Sequence, residues 1–299
     1  MTDSIPALPC WLNGVMSTLR DAKVSVLDRG FIFGDGVYEV VPAYAGRPFR
    51  FDEHMARLER SLGEMRIANP MSRAEWRALV ERLIAAYAAH AGKPIEETDQ
   101  QVYLQITRGV ARRDHAFPAP EVAPSLVVTA RALSRTRNEA LAAKGIAVVS
   151  VPDNRWARVD IKTIGLLPNV LARQAAIEQG ARDAWFIDKQ GAVTEGASTN
   201  AWIVTQAGTV VTRPAADHAI LRGITRMVLF DAIKAQGLAL EERAFTLEEA
   251  YAAREAFVTA ASQIVLPVVA IDGHPIGAGK PGPIATALRR EFHRYAEAG

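Results

Sequence analysis

From residue 146 onward, short apolar runs alternate with stretches of helical repeat, and this alternation confines the chain to a mixed α/β fold. Runs at 146–151, 184–187, 201–204 and 255–259 read as strands. Pro168 sits in the first turn of a helix that Val170, Leu171, Ala175 and Ile177 carry on to Gly180. Residues 227–236 read as another helix and 284–295 as an amphipathic one. The first half is built differently. After a strand at 8–12, Asn13-Gly14 predicts a hairpin turn. Residues 24–27, in a region of short strands and turns, lead into a glycine-rich stretch over 28–41. Gly30, Gly34 and Gly36, interleaved with aromatics, suggest backbone in close approach to something, followed by a strand. Strand alternation there puts Tyr38 and Val40 on one face and Val37, Glu39 and Val41 on the other. Asp52 is the expected N-cap of a helix carrying Met55, Leu58, Leu62 and Met65, and Arg57 lies off that stripe as a solvated arginine. A second helix spans 72–91, and strands follow at 101–107 and 125–130.

A chain of 299 residues, 49% hydrophobic, has enough apolar material for two compact domains. The expected division is an N-terminal α/β domain over 1–130, a polar linker over 131–137 and a larger C-terminal domain over 138–299. The net charge is +2 with acids and bases interspersed, which argues against nucleic acid and membrane surfaces as partners. Cys10 is the single cysteine, so an intrachain disulfide or a cysteine metal cage is ruled out. The six histidines show no metal-ligand spacing, so no metal is expected. With neither a basic-apolar leader nor a long uncharged apolar window, the expected compartment is the cytoplasm.

Several residues are candidates for chemistry. Lys162, set between Ile161 and Ile164, stands out in a chain that mostly writes its positive charge as arginine. A lysine is the basic side chain that can lose its proton at moderate cost and act as nucleophile or base. The alternative is a strand-end lysine with its stem on the core and its head in water. Arg112, Arg113 and His115 on one loop make a plausible carboxylate trap, against the competing view of a solvated charged loop. Glu195 lies among small and hydroxyl-bearing residues, either pointing into a pocket or sitting in a turn. Gly223, Ile224 and Thr225 at a helix start, and the small-residue turn around Ala260-Ala261-Ser262, are two seats for an anion. An amine, a carboxylate and phosphate seats are what pyridoxal 5′-phosphate requires.

The stretches Asp28-Arg29-Gly30, Phe33-Gly34-Asp35-Gly36-Val37-Tyr38-Glu39-Val40-Val41, Thr107-Arg108-Gly109 and Arg113-Asp114-His115-Ala116-Phe117-Pro118 carry a family resemblance. So do Arg155-Trp156, Asp160-Ile161-Lys162, Thr194-Glu195-Gly196, Leu221-Arg222-Gly223-Ile224-Thr225-Arg226, and Pro267 with Ile271-Asp272-Gly273. Together they resemble the class IV aminotransferases of pyridoxal-phosphate fold type IV, most closely the bacterial D-amino acid (D-alanine) aminotransferases, over nearly the whole chain from Trp11 to Gly273. The resemblance implies a two-domain fold whose larger, C-terminal domain is a barrel-like mixed sheet. It implies that Lys162 binds the cofactor covalently and moves the substrate's proton, and that Glu195 faces the pyridine nitrogen. Arg57, Ile224, Thr225, Thr259, Ala260 and Ala261 would surround the phosphate, with Leu221 beneath the ring. Tyr38, Arg113 and His115 would take the substrate carboxylate and Val40 would line the side-chain pocket, the arginine–histidine loop reaching in from the partner of a homodimer. The implied reaction is ping-pong amino transfer from D-alanine to 2-oxoglutarate. Alternatives on the same fold are an aminodeoxychorismate lyase and a branched-chain L-amino acid or (R)-amine transaminase, and a non-enzymatic pyridoxal-phosphate-binding protein is a further one. Close relatives carry hydroxyl residues where this chain has Ala260 and Ala261, which predicts weaker phosphate binding unless backbone amides, Thr259 or Ser262 compensate.

Overall fold

The computed structural model describes residues 5–298. They fall into two compact units, one running to Ser134 and including Ile161–Gly165, the other made of Arg135–Asp160 and Leu166–Ala298.

The first unit contains, in chain order, β1 (Pro9–Leu12), β2 (Val15–Thr18), α1 (Arg29–Phe33), β3 (Gly36–Tyr44), β4 (Arg47–Pro48), α2 (Phe51–Glu64), α3 (Arg73–His90), β5 (Gln100–Thr107) and β6 (Ser125–Ala132). Its strands form an antiparallel sheet in the order β2-β1-β6-β5-β3-β4. Asn13 and Gly14 both take positive φ and turn β1 into β2, as a two-residue hairpin requires. Met55, Leu58 and Leu62 of α2 and Trp76, Leu79 and Leu83 of α3 bury against Val37, Val41, Val102 and Leu104. Each such fully buried aliphatic contributes roughly 1.5–3 kcal/mol. The opposite side chains of β3 and β5, Tyr38, Val40, Tyr103 and Gln105, are half-buried, so the alternation along β3 is as the sequence predicts. Ser72 caps α3 and completes a capping box with Glu75.

The second unit contains α4 (Arg135–Lys144), β7 (Ile146–Pro152), α5 (Leu167–Glu178), β8 (Asp183–Ile187), β9 (Val193–Gly196), β10 (Asn200–Val204), β11 (Val210–Thr212), α6 (Ile224–Ala235), β12 (Leu240–Glu242), α7 (Leu247–Tyr251), β13 (Glu255–Ala260), β14 (Ile264–Ile271), β15 (His274–Pro275) and α8 (Pro283–Ala298). Its sheet runs β12-β11-β10-β13-β14-β7-β8-β9 and is mixed, with β7 parallel to both β14 and β8. It forms the expected barrel-like layer as a half-barrel. Trp185, Phe245, Val258 and Leu266 lie in its core.

Local expectations differ from the structure at several points. Asp52 is not the cap of α2: Arg50 holds that place with no side-chain cap, and Asp52 sits in the first turn, where its charge suits the helix dipole. Most of 131–137 lies inside elements, since Arg131 and Ala132 finish β6 and Arg135 opens α4, a mainly polar helix in which Ala142 is the buried residue. Val170, Leu171 and Ile177 face outward on α5, and its buried positions are Ala172 and Ala176. Helix α6 begins three residues before the predicted start, at Ile224.

Asp35, at the entry to β3, is clamped by two arginines. Arg29 Nε donates to its Oδ2 at 2.8 Å, while Arg108 Nε and Nη2 donate to Oδ2 and Oδ1 at 2.8 and 2.9 Å. Burial works against the charge, but the bonds from Arg108 and Arg29 hold the carboxyl below the usual carboxylate range. We expect Asp35→Asn to cost about 3–5 kcal/mol in chemical denaturation, because two buried guanidiniums lose their counter-charge. The folded-state pKa lies below the unfolded value of about 3.9, so this stability is complete above that pH and is lost as the pH falls through the folded pKa. Acid melting curves of the variant should therefore be flatter below about pH 4 than those of the parent.

Candidate active site

In the first unit, Lys162 is brought to β3 by backbone pairing. Tyr38 N donates to Lys162 O at 2.9 Å, Ile164 N donates to Gly36 O at 3.1 Å, and Val37 and Thr163 form a β-bridge. Ser61 of α2 supports the segment from its other side, with Oγ accepting from Lys162 N at 3.3 Å. Ile161 is buried in the first unit's core, so the lysine is anchored from beneath. Its half-buried ammonium stands 4.2 Å from the centre of the Tyr38 ring. No carboxylate pairs with it among the described residues, which leaves a cation facing an aromatic surface. Glycine is required at position 36 chiefly by β5: a Cβ there would approach Ile106 O to 2.6 Å, with the end of the Ile164 side chain at 3.0 Å.

The face around Tyr38 is aromatic and polar. Tyr38 and Tyr103 stack with centroids 5.6 Å apart, and Tyr103 Oη donates to Gln105 Oε1 at 2.7 Å. Val40 lies opposite Tyr103 in the strand register and Tyr38 opposite Gln105. Burial, with Tyr38 adding to it, pushes the Tyr103 phenol up to about 12. On the other face of β3, Glu39 is fully buried and binds His54 and Arg57. Arg57 is thus not the solvated arginine its place off the apolar stripe suggested: its side chain is 10% exposed.

Arg113 and His115 are exposed on a loop whose backbone is tied down. Arg29 Nη1 donates to Asp114 O at 2.6 Å and to Ala116 O at 3.2 Å. His115 packs on Phe33 at 5.4 Å, Arg113 lies over the same ring at 5.5 Å, and Phe117 stacks under Arg108 at 3.6 Å. Neither Arg113 nor His115 has a hydrogen bond, ion pair or ring contact with Tyr38 among the described residues.

In the second unit, Glu195 on β9 is surrounded by donors. Arg155 Nη1 donates to Oε1 at 2.5 Å, Asn200 Nδ2 to Oε2 at 3.0 Å, and Leu221 N to both oxygens at 3.1–3.2 Å. A donor-only surrounding suits a carboxylate rather than a carboxylic acid. Arg155 is fixed in turn by Asp153 and Thr194 Oγ1. Asn200 also donates to Leu221 O at 2.9 Å, which ties the Leu221 backbone to the glutamate. Gly223 caps α6 without a side-chain bond, no acid occupies the first turn, and Ile224 and Thr225 are buried. Such a helix start offers unpaired N–H groups to an anion. Thr259 is buried on β13 with its hydroxyl accepting from Trp202 Nε1 at 3.0 Å. Ala260 ends β13 and Ala261 opens the following turn, both partly exposed, and Ser262 O in that turn accepts from Asn138.

A model of the class IV aminotransferase family matches residues 36–271. This chain belongs to the class IV aminotransferases. The aminotransferase is 38% identical to the D-alanine aminotransferase of Staphylococcus aureus strain N315, over 96% of this chain and 97% of the relative. It is likewise 38% identical to the D-alanine aminotransferase of Listeria monocytogenes serotype 4b strain F2365, over 94% and 93%. Among solved structures, the branched-chain amino acid aminotransferase from Escherichia coli aligns at TM-score 0.84 and 25% identity, covering 96% of this chain and 94% of that one. The T.th. branched-chain amino acid aminotransferase with pyridoxamine 5′-phosphate aligns at TM-score 0.83 and 27% identity, covering 98% and 95%.

Sequence reasoning gave no role in the site to Glu39, His54, Arg155, Asn200, Tyr103 or Gln105. The signal for Glu39 was available, since the alternation places an acid on the apolar face with Val37 and Val41. The aminotransferase also requires Gly223, where a Cβ would collide with Asn200 Oδ1. We expect Gly223→Ala to destabilise the fold by about 1–3 kcal/mol in thermal or chemical denaturation, because φ and ψ allow alanine and only the Asn200 contact opposes it.

Proposed function

We propose that the chain is a pyridoxal-phosphate-dependent transaminase that moves the amino group of D-amino acids, D-alanine foremost, to 2-oxo acids such as 2-oxoglutarate in a ping-pong cycle. The observation that carries this reading is identity of about two residues in five, over almost the full length, to proteins named D-alanine aminotransferase. An anchored loop presenting Arg113 and His115 supports it.

The residues fit the cofactor by their donor chemistry: an amine without a carboxylate partner, a carboxylate encircled by donors, and a helix start with neither a capping side chain nor an acid. When bound, pyridoxal phosphate supplies an aldehyde that exchanges amines and a ring that accepts the electrons released at the substrate α-carbon. In this reading Lys162 Nζ holds the aldehyde covalently and, once displaced, moves the proton at the α-carbon. Glu195 keeps a proton on the ring nitrogen, and its Arg155, Asn200 and Leu221 bonds fix where its oxygens point. Arg57, the amides of Ile224 and Thr225, and Thr259 with the backbone of Ala260 and Ala261 receive the phosphate, while Leu221 supports the ring. Tyr38, Arg113 and His115 bind the substrate carboxylate and Val40 bounds the side-chain pocket. The functional unit is a cytoplasmic homodimer in which Arg113 and His115 serve the partner's site; their exposure on the single chain is in keeping with that role. No helix among the described residues is long and apolar enough to cross a membrane.

The deciding assay is amino transfer from D-alanine to 2-oxoglutarate, run beside L-leucine and aminodeoxychorismate. Consumption of the L-donor alone, or lyase turnover without transamination, would reject the proposal. Lys162→Ala should abolish both turnover and borohydride trapping of the cofactor. Arg113→Ala should raise KM for D-alanine about tenfold or more, the scale of a lost charge-assisted hydrogen bond, with the cofactor absorbance unchanged.

A further inference from the structure

The buried acid on β3 has a cost that stability does not explain. Glu39 is 0% exposed between Val37 and Val41, on the face that packs against α2. Its Oε1 accepts from Val40 N, His54 Nδ1 and Arg57 Nη2 at 2.9, 2.9 and 2.5 Å, and its Oε2 accepts from Arg57 Nε at 2.9 Å. Burial opposes the charge, yet Arg57 and His54 hold the carboxyl far below the usual range, so it is an anion. Burial also drives the His54 pKa down against the pull of Glu39, so the ring is neutral at pH 7 and its Nδ1–H donates to the carboxylate. The cluster is therefore one carboxylate, one guanidinium and one neutral imidazole.

Apolar groups of similar volume serve the stability of such a position as well as a buried ion pair does, or better. What the pair supplies is direction. Holding Arg57 through both Nε and Nη2 fixes the plane of its guanidinium, which a single contact would leave free to turn. His54, Arg57 and Ser61 stand at i, i+3 and i+7 on α2, one face of that helix. From that face Arg57 and His54 meet Glu39, and Ser61 meets the backbone of Lys162. Tyr38, next to Glu39 on β3, donates to the Lys162 carbonyl. The guanidinium of Arg57 and the backbone of Lys162 are thus referenced to the same strand and the same helix.

We propose that Glu39, braced by His54, is the positioning residue that sets the Arg57 guanidinium in the orientation that receives the cofactor's phosphate. This rests on the reading of Arg57 as a phosphate ligand. Glu39 does not touch the cofactor; it acts through Arg57.

The test compares the affinity of apo-protein for pyridoxal 5′-phosphate with its affinity for pyridoxal, which lacks the phosphate, by absorbance titration of the parent, Glu39→Gln and Arg57→Ala. Both ligands offer the same aldehyde to Lys162, so their ratio isolates the phosphate contacts. Glu39→Gln should weaken pyridoxal phosphate binding about tenfold or more and leave pyridoxal binding unchanged, bringing the ratio towards that of Arg57→Ala. Equal weakening of both ligands would mean that Glu39 is merely structural, and an unchanged ratio would mean that it does not position Arg57; either overturns the inference. If Arg57→Ala keeps the parent ratio, the phosphate reading of Arg57 fails and the inference falls with it. If Arg57→Ala loses the preference while Glu39→Gln retains it, the reading stands and the inference alone fails. Should Glu39→Gln not yield folded protein, Glu39→Asp keeps the charge but withdraws it by one methylene, and the same loss of preference is expected.

Discussion

Lys162 belongs to a five-residue segment that leaves the second unit's sequence and pairs with β3 of the first. The bond from Tyr38 N to Lys162 O, with Ile164 N to Gly36 O beside it, gives that segment the geometry of an added edge strand. Backbone bonds of this kind position a side chain more firmly than a loop does, because they fix the main chain on either side of it. The glycine at 36 answers mainly to β5, whose Ile106 carbonyl fills the space a side chain would need, with Ile164 of the segment close by. The ammonium of Lys162 then stands over the ring of Tyr38, on the half-buried face of the sheet.

A strand with alternating faces gives β3 two tasks. Tyr38 and Val40 project to the half-buried side, while Glu39 projects into the packed side and engages α2. Three buried carboxylates across the two units are each met by at least one arginine. Asp35 has Arg29 and Arg108, Glu39 has Arg57 and His54, and Glu195 has Arg155, Asn200 and the Leu221 amide. Arginine suits this work because its fork reaches two carboxylate oxygens at once and it stays charged when buried. The preference of the chain for arginine over lysine is thereby accounted for at these positions, and Lys162 stands apart because an exchangeable proton is the property arginine lacks.

The Arg113–His115 loop shows how exposed residues gain definition from buried ones. Arg113 and His115 face solvent on the single chain, yet Arg29 binds the carbonyls of Asp114 and Ala116, and Arg108 lies over Phe117. Both arginines also bind Asp35, so one buried carboxylate links the entry of β3 to the loop that carries the carboxylate-binding candidates.

The mixed α/β class, the β1–β2 hairpin through Asn13-Gly14, the helix over 72–91 and the faces of β3 were legible in the residues themselves. These are local: each depends on φ preferences, capping or two-residue alternation within a few positions. The sequence also displayed Lys162 and Glu195, because a lone lysine and an acid among small residues stand out without any partner in view. Which charges are buried, and with whom, was not legible there. Arg57 read as solvated because its partner Glu39 lies 18 residues away. Arg155, 40 residues from Glu195, gave no local sign of a buried ion pair. Helix α4 was hidden by its polar composition, and β14, a buried strand within the second sheet, by an unbroken apolar run that lacks any period. Periodicity records which way a side chain faces; what waits there depends on segments distant in sequence, and no window of sequence contains both.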